Sequence, residues 1–419
     1  MLAPVSRAPG VGRVALVLAG GAARGAYEVG VVLHLLEEVA RDVGHDLPLD
    51  ILCGTSVGAI NVCLLAAFAD EPRARGARLY EHWTQLRMRD LVHADSGSLF
   101  NLARSLFGRA AINDADTRRG GMLDPKGIED LVRRAVPFPR IGEHLRAGRL
   151  HAVTISTTHV GSGRTVVFVQ RADGAAPLSS SDPTVVSRSV TLGPDHALAS
   201  AAIPFLFPAV RIDGEFYCDG GLRQNVPLSP ARRLGADGLI VVSPRYLRPH
   251  SPSDPGTSEA IFPGPLFLLG KALNALLLDR VENDIDRLER INKLLEAGTR
   301  HYGAGFLDAI NAELGHPPTA LRTRPLKTVL IRANADIGRM ASEFVRSSRF
   351  PARVPGVLGR VMRRVAESNV EADLLSYLLF DGEFAADLIA LGRSDARRHH
   401  TALCQFFTDL RPAKLGTGS

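Results

Sequence analysis

Residues 49–68, LDILCGTSVGAINVCLLAAF, are typical of a buried strand, a glycine-flanked turn and a buried helix. Leu49–Cys53 is short and apolar, as in a strand covered on both faces, and Val57–Phe68 is long enough for a buried helix. The same order occurs upstream, where a strand at Val14–Leu18 precedes a helix at Tyr27–Asp42. This alternation predicts an α/β fold with a mainly parallel central sheet flanked by helices. Further strands are predicted at Ala152–Thr158, Thr165–Gln170, Leu239–Val242 and Thr328–Arg332, with a hairpin at Val210–Cys218.

The composition is that of a folded globular protein, with 419 residues of which 45% are hydrophobic and 22% charged. The 50 basic residues exceed the 44 acidic residues by only six, and no nucleic-acid-binding motif is present. No nucleic-acid partner is therefore predicted. The four cysteines and 13 histidines show no zinc-ligand spacing, so neither a metal site nor a cofactor is predicted.

The predicted domain organisation is one α/β domain over residues 12–335, with a helical insertion at about 259–325. The insertion contains a long amphipathic helix at Leu273–Leu295. Residues 336–412 are expected to form a helical C-terminal extension packed on this domain. The N-terminal residues lack the pattern of a signal peptide, and the apolar stretch Ile261–Leu278 contains prolines and is too short to span a membrane. With few cysteines, a cytoplasmic location is expected.

The turn in the opening stretch carries the first candidate chemistry, because Gly54, Ser56 and Gly58 form a G-x-S-x-G pattern. A nucleophilic serine stands on a strained strand-to-helix turn where small neighbours let a substrate approach. The helix that follows would direct its positive N-terminus at a developing oxyanion. A tight turn with an N-capping serine gives the same pattern, so the motif alone leaves both interpretations open.

A glycine-rich loop, GGAARG at residues 20–25, follows the first strand. Consecutive N–H groups in such a loop can bind an anion. Ala22 breaks the G-x-G spacing of a dinucleotide-binding loop, and no Lys-Ser/Thr pair follows as in a P-loop. The loop can supply the N–H groups of an oxyanion hole, and a plain tight turn is the alternative.

A third motif, Asp219-Gly220-Gly221, closes the predicted hairpin, whose turn is assigned to Asp213-Gly214. Serine hydrolases usually use a histidine base, so a Ser–Asp–His arrangement is an alternative. The histidines that follow Asp219 have no distinctive surroundings and are expected at the surface: His250, His301, His316, His399 and His400.

Taken in order, the three motifs resemble the signature of the patatin-like phospholipases: a G-G-G-x-R/K-G loop, a G-x-S-x-G turn and a later D-G-G or D-G-A. Here they stand as GGAARG at 20–25, GTSVG at 54–58 and DGG at 219–221. The stretches ASAAIPFLFP at 199–208 and SYLLFD at 376–381 also look like bacterial members. The chain departs from the pattern at Ala22, where a positive φ would cost an alanine about 1 kcal/mol.

The resemblance implies a patatin-like α/β hydrolase that cleaves lipid acyl esters. Ser56 would be the nucleophile and Asp219 the residue that activates it, so no histidine would be required. Because an aspartate is a weak base at its ordinary pKa of about 3.9, Asp219 would need burial beside Ser56. The loop residues Gly20, Gly21, Ala22, Arg24 and Gly25 would form the oxyanion site, with the N–H groups of Gly21 and Ala22 as donors.

Phospholipids or lysophospholipids are the substrates that the resemblance favours. A generic carboxylesterase or neutral-lipid lipase is the alternative enzyme, and a catalytically silent lipid-binding protein is the alternative from another class. Arg24 either binds a lipid phosphate or pins the loop. Phe205-Leu206-Phe207 either lines an acyl groove or packs in the core.

A basic segment from Arg339 to Arg364 has seven arginines, one acidic residue and interleaved apolar residues. Basic side chains near anionic lipid favour binding by about 1 kcal/mol each, and apolar neighbours can insert shallowly. A peripheral contact with anionic membranes is therefore expected, and a solvated arginine face over packed apolar side chains is the alternative.

Overall fold

The computed structural model describes residues 12–88, 126–174, 182–246, 280–315, 323–350, 362–363, 366 and 372–410, apart from residues 205, 225 and 304. Within these residues the chain forms nine strands: β1 (Val14–Leu18), β2 (Ile51–Thr55), β3 (Ala152–His159), β4 (Thr165–Arg171), β5 (Val185–Ser189), β6 (Val210–Ile212), β7 (Glu215–Asp219), β8 (Gly238–Ser243) and β9 (Lys327–Arg332). The helices of the same residues are α1 (Ala26–His34), α2 (Val57–Ala67), α3 (Ala74–Thr84), α4 (Lys126–Ala135), α5 (Pro139–Arg146), α6 (Pro194–Ser200), α7 (Leu228–Arg233), α8 (Arg280–Tyr302), α9 (Gly305–Glu313), α10 (Ile337–Arg346), α11 (Ala372–Leu378), α12 (Gly382–Arg398) and α13 (His400–Asp409).

The described strands form one sheet in the order β5-β4-β3-β2-β1-β8-β9, and β7 pairs with both β3 and β6. The neighbours β3, β2, β1, β8 and β9 run parallel, whereas β4 and β7 are antiparallel to β3. All residues of β1 are fully buried, as expected for a central strand covered by helices on both faces. The prediction of a mainly parallel sheet flanked by helices is confirmed.

Alternate residues of β1 belong to two apolar clusters, one on each face of the sheet. Leu16 and Leu18 face the larger cluster, which includes the buried sides of α1, α2 and α12. Ala15 and Val17 face the smaller cluster, which includes α7. Because strands β1 and β2 are buried on both faces, their C-terminal ends are held at one edge of the sheet, where the candidate site lies.

The C-terminal helix α12 packs directly on α1. Glycines allow this contact, since a Cβ atom at Gly30 would collide with the Ile389 carbonyl and one at Gly392 with the Tyr27 carbonyl. Helices α8 and α9 stand between β8 and β9 in the chain, where the helical insertion is predicted. The division between an α/β domain and an extension at residue 336 stays a prediction.

Some elements differ from the prediction. Strand β2 begins at Ile51 rather than Leu49, and the Asp50 carboxylate just before it accepts a hydrogen bond from the Val14 N–H (2.8 Å) at the start of β1. The helix that begins at Ala26 passes through a π-helical turn at Leu35–Val39 before it ends at Val43. Helix α8 extends to Tyr302, and residues 273–279 of its predicted range lie outside the described residues.

Candidate active site

The strand–turn–helix context predicted for Ser56 is present, with Ser56 between β2 and α2. Its backbone has φ 55° and ψ −129°, a sparsely populated conformation that costs about 1–3 kcal/mol. Both flanking glycines are required by close packing: a Cβ at Gly54 would collide with the Gly58 carbonyl, and one at Gly58 would lie 2.5 Å from the Leu18 carbonyl oxygen. Strain of this kind is held only where the surrounding structure fixes it.

The side chain of Ser56 is hydrogen bonded to Asp219, the last residue of β7. Ser56 Oγ donates to Asp219 Oδ2 over 2.6 Å, and both side chains are buried. The other carboxylate oxygen, Oδ1, accepts from the Gly221 N–H at 2.7 Å. In the described site the Ser56 hydroxyl therefore does not cap α2, which removes the support for an N-capping serine.

The surroundings of Asp219 change its acidity. Burial disfavours the charged carboxylate and raises its pKa from 3.8 to about 7, although the hydrogen bonds from Ser56 and Gly221 act in the opposite direction. Gly220 lies against β3, where a Cβ would collide with the Ser156 carbonyl. A carboxylate with a pKa near neutrality is a far better proton acceptor at pH 7 than one with the ordinary value.

The glycine-rich loop lies beside the turn that carries Ser56. A Cβ at Gly25 would stand 2.5 Å from the side chain of Val57, and Gly58 touches the carbonyls that lead into the loop. Ala22 has a φ of 48°, so alanine at this position, where the family pattern has glycine, adopts a strained backbone conformation. No hydrogen bond joins the N–H groups of Gly21 and Ala22 to other described residues, which fits donors that await an oxyanion.

Arg24 is buried and turned toward the C-terminal helices. Its Nε donates to Ser376 Oγ at 2.8 Å, and its guanidinium carbon lies 4.2 Å from the ring centre of Tyr377 in α11. These contacts fit the role of pinning the loop, and they tie the motif at 376–381 to the site. Gly20, the first residue of the loop, follows β1 through Ala19, whose N–H donates to the Val242 carbonyl at 3.1 Å.

Within the described residues, no histidine forms a hydrogen bond with Ser56 or Asp219. His301 is exposed, and His400 contacts His34 and Asp42 through its two ring nitrogens at 3.1 and 3.0 Å. His250 and His316 lie outside the described residues. Within the described part of the chain, no hydrogen bond supports the Ser–Asp–His alternative.

A small apolar pocket with a cavity volume of about 20 Å³ lies beside Ala202, close to the site. Phe207 lines it together with Leu198, Ala201 and Ala202, and the Ala202 carbonyl accepts the Asp219 N–H at 2.9 Å. Leu206 is buried in the core, and residue 205 lies outside the described residues. Of the predicted Phe-Leu-Phe stretch, Leu206 and Phe207 both belong to the buried apolar core, which favours packing over an acyl groove.

Comparison with known sequences places the chain in a family. A sequence model described as Patatin-like phospholipase matches residues 16–232, just over half of the chain. The chain belongs to the patatin-like phospholipase family. The match includes the glycine-rich loop, the Ser56 turn and the Asp219 motif, so the resemblance seen in the motifs is confirmed.

Individual relatives are more distant. Uncharacterised NTE family proteins of Mycobacterium bovis and Mycobacterium tuberculosis are 28% identical over 232 residues, which cover 55% of this chain and 49% of theirs. The chain thus spans about half the length of these curated relatives. Among solved structures, the crystal structure of VipD from Legionella pneumophila is similar with a TM-score of 0.30 and 14% identity, over 91% of this chain and 67% of that one.

The site also contains residues that the motifs did not predict. Ser200, at the end of α6, accepts the Ser56 N–H, and its own hydroxyl donates to the Ser156 carbonyl. Ser156 Oγ in turn donates to Gln224 Oε1 at 3.3 Å. Ser200 lies within the family-like stretch at 199–208, which is the one sequence signal that pointed toward it.

The predicted membrane segment is only partly described, and its apolar residues correct one expectation. Phe344, Phe350 and Met362 are buried in the core and are therefore not available for insertion into a bilayer. Arg349 is paired with Glu383 and Asp387, at 3.0 and 2.9 Å. Residues 351–361 and 364–365 lie outside the described residues. No helix of the described residues has the length and apolar character needed to cross a membrane.

Proposed function

We propose that the protein is a lipid acyl hydrolase that uses Ser56 as nucleophile and Asp219 as its general base. The family supports hydrolysis of lipid esters in general. The observation that carries the finer proposal is the buried 2.6 Å hydrogen bond from Ser56 Oγ to Asp219 Oδ2, made by a serine on a strained turn. In this geometry the hydroxyl proton of Ser56 points toward the carboxylate oxygen that would accept it, which supports the proposed roles.

The reaction follows from these positions. Ser56 Oγ attacks the ester carbonyl carbon while its proton passes to Asp219 Oδ2, and the N–H groups of Gly21 and Ala22 stabilise the oxyanion. The carbon–oxygen bond to the alcohol then breaks, and Asp219 returns the proton to the departing alcohol. Water attacks the acyl-enzyme and gives a proton to Asp219, which protonates Ser56 as the fatty acid leaves.

The small apolar pocket beside Asp219 supports a substrate with a hydrocarbon group next to the ester, and its cavity of about 20 Å³ would have to widen to accept a long acyl chain. Its lining is almost entirely hydrocarbon, with Glu129 as the one charged residue among those that line it in the described structure. Each buried methylene of a chain would contribute about 0.8 kcal/mol to binding. Arg24 is buried and its Nε donates to Ser376 Oγ, so its guanidinium is not exposed to a lipid headgroup; this burial favours a neutral-lipid or general carboxylester hydrolase as the second candidate.

The substrate class is tested by measuring fatty acid release from separate preparations. These are phosphatidylcholine vesicles, lysophosphatidylcholine micelles, a triacylglycerol emulsion and a soluble p-nitrophenyl ester. We expect release from the phospholipid or the lysophospholipid to exceed release from the triacylglycerol. Release from the triacylglycerol and the soluble ester alone supports the second candidate. A folded protein that hydrolyses none of them contradicts the proposal and leaves a silent lipid-binding protein.

We further propose that the basic segment from Arg339 to Arg364 makes an electrostatic contact with anionic membranes through its arginines. Co-sedimentation with vesicles should rise with phosphatidylglycerol content and fall with added salt. The triple replacement of Arg360, Arg363 and Arg364 by glutamine should weaken binding and spare hydrolysis of the soluble ester. The matched control replaces three exposed arginines elsewhere with glutamine: Arg41, Arg73 and Arg397. If both triple variants lose vesicle binding equally, the loss reflects the net charge of the protein. That result would refute a specific role for this segment.

A further inference from the structure

The hydroxyl of Ser200 occupies a fixed place next to the candidate nucleophile. Ser200 is fully buried, and its Oγ accepts the backbone N–H of Ser56 at 2.8 Å. The same Oγ donates to the carbonyl oxygen of Ser156 at 2.6 Å. A hydroxyl has a single proton, and because the Ser56 N–H can only donate, that proton must point to Ser156. Both hydrogen bonds of Ser200 therefore have a defined direction.

The Ser200 hydroxyl satisfies two backbone groups at the end of the β2–β3 pairing. Strands β2 and β3 pair in parallel up to Thr55 opposite Ser156, and the Ser56 N–H and the Ser156 carbonyl both lie at this end of the pairing. The chain turns away at Ser56 to form the strained turn, so that this donor and this acceptor no longer meet directly. The Ser200 hydroxyl bridges them and satisfies two buried backbone groups that would otherwise be unpaired.

The same short segment also holds the other member of the pair. Two residues after Ser200, the carbonyl of Ala202 accepts the backbone N–H of Asp219 at 2.9 Å. Residues 200–202 thus contact the main chain of both Ser56 and Asp219, whose side chains meet over 2.6 Å. A shift of this segment would change the distance between the two side chains.

We propose that Ser200 is a positioning residue, whose hydroxyl fixes the turn at Ser56 so that the serine Oγ faces the Asp219 carboxylate. The inference rests on the proposed function of Ser56 and Asp219. In the described structure no hydrogen bond joins Ser200 to either side chain of the pair, so its hydroxyl acts through the backbone N–H of Ser56 and the Ser156 carbonyl. Loss of the hydroxyl leaves the Ser56 N–H free to rotate away, and a displacement of about 1 Å at a reacting atom can lower a rate about 100-fold.

The experiment compares Ser200→Ala with Ser200→Thr and with the control Ser342→Ala. Ser342 is also a buried serine, and in the described residues its hydroxyl has no hydrogen-bond partner. The readouts are kcat and KM on a soluble p-nitrophenyl ester, the rate of fluorophosphonate labelling and the thermal midpoint. For Ser200→Ala we expect kcat and the labelling rate to fall together by about 10- to 100-fold, with KM within about twofold of wild type.

Ser200→Thr retains a hydroxyl and should recover most of the labelling rate, whereas Ser342→Ala should match the wild type. The rise of kcat/KM with pH that ionisation of Asp219 should produce is expected at the same pH as in the wild type, because in the described structure no hydrogen bond joins Ser200 to the Asp219 carboxylate. If Ser200→Ala fails to fold, Ser200→Cys is used in its place. Because a thiol is a weak hydrogen-bond acceptor, its labelling rate should be below that of Ser200→Thr.

Wild-type labelling in Ser200→Ala, or in a folded Ser200→Cys, would overturn the positioning role. That outcome differs from a failure of the proposed function, in which the wild-type protein itself would neither hydrolyse the ester nor become labelled at Ser56. An equal loss in Ser200→Ala and Ser342→Ala would also overturn the proposal, because it would show a general effect of lost buried hydroxyls.

Discussion

A Ser56→Ala variant should lose ester hydrolysis by roughly 10⁶-fold while it unfolds near the wild-type temperature. The substitution deletes one oxygen, whose hydrogen bond in the described structure goes to Asp219. No apolar packing is lost, so the effect on stability should be small. Fluorophosphonate treatment followed by peptide mass spectrometry should place the label of the wild-type protein on Ser56 and find none in the variant. Labelling at another residue, with full activity in Ser56→Ala, would refute Ser56 as the nucleophile and Asp219 as its base.

The strain at Ser56 provides a matched control for this result. A residue with φ 55° and ψ −129° is strained unless it is glycine, so Ser56→Gly should be more stable than Ser56→Ala by about 1–3 kcal/mol. Both variants lack the hydroxyl and should be equally inactive. Thermal unfolding of the two proteins separates the contribution of the backbone from that of the nucleophile.

The fold and the Ser56 turn could be predicted because their signals are local. Strand β1 was predicted from five consecutive apolar residues, Val14–Leu18, and occupies that range in the structure. The G-x-S-x-G pattern describes a constraint that neighbouring residues impose, since Gly54 and Gly58 are needed for close approach of backbone atoms. The Asp213-Gly214 turn was likewise predicted, and both residues have a positive φ.

Other features could not be predicted because they depend on contacts between distant parts of the chain. Ser200 and Ser56 are 144 positions apart, and a buried serine has no sequence pattern that distinguishes it from others. Strand β5 was not predicted because Val185–Ser189 lies at the edge of the sheet and is half-exposed, so that it lacks a continuous apolar run. Helix α6 is only seven residues long and has no helical periodicity to detect.

The acidity of Asp219 also could not be predicted from the sequence, because it depends on contacts between distant residues. Sequence reasoning showed only that an aspartate must be buried to act as a base at neutral pH. Its pKa of about 7 is set by complete burial against the opposing effect of the donors Ser56 and Gly221. Those groups come from three-dimensional contacts, since Asp219 and Ser56 are 163 positions apart.

An Asp219→Asn variant should lower kcat by about 100-fold or more. The amide has nearly the same shape, but it has only one acceptor oxygen for the two donors that the carboxylate satisfies, Ser56 Oγ and the Gly221 N–H. If its oxygen faces Gly221, its NH₂ group faces Ser56 and cannot remove the serine proton. The control is Asp213→Asn, in the exposed hairpin turn at φ 49°, a conformation that asparagine tolerates well. Equal losses in both variants would indicate a structural effect.

The pH dependence of the two proteins should differ in two measurable ways. Because Asp219 must be ionised to accept a proton, kcat/KM of the wild type should rise with pH up to about 7 and then level off, and Asp219→Asn should lack this limb. Stability should respond in the opposite sense. The pKa of Asp219 is raised on folding from 3.8, so its contribution to stability is present at low pH and is lost as pH rises through about 7. Wild-type stability should therefore fall relative to Asp219→Asn between about pH 4 and 7, the range between the two pKa values, and change little above pH 7. An acid limb near 7 that persists in the asparagine variant would assign the titration to another group and remove Asp219 as the base.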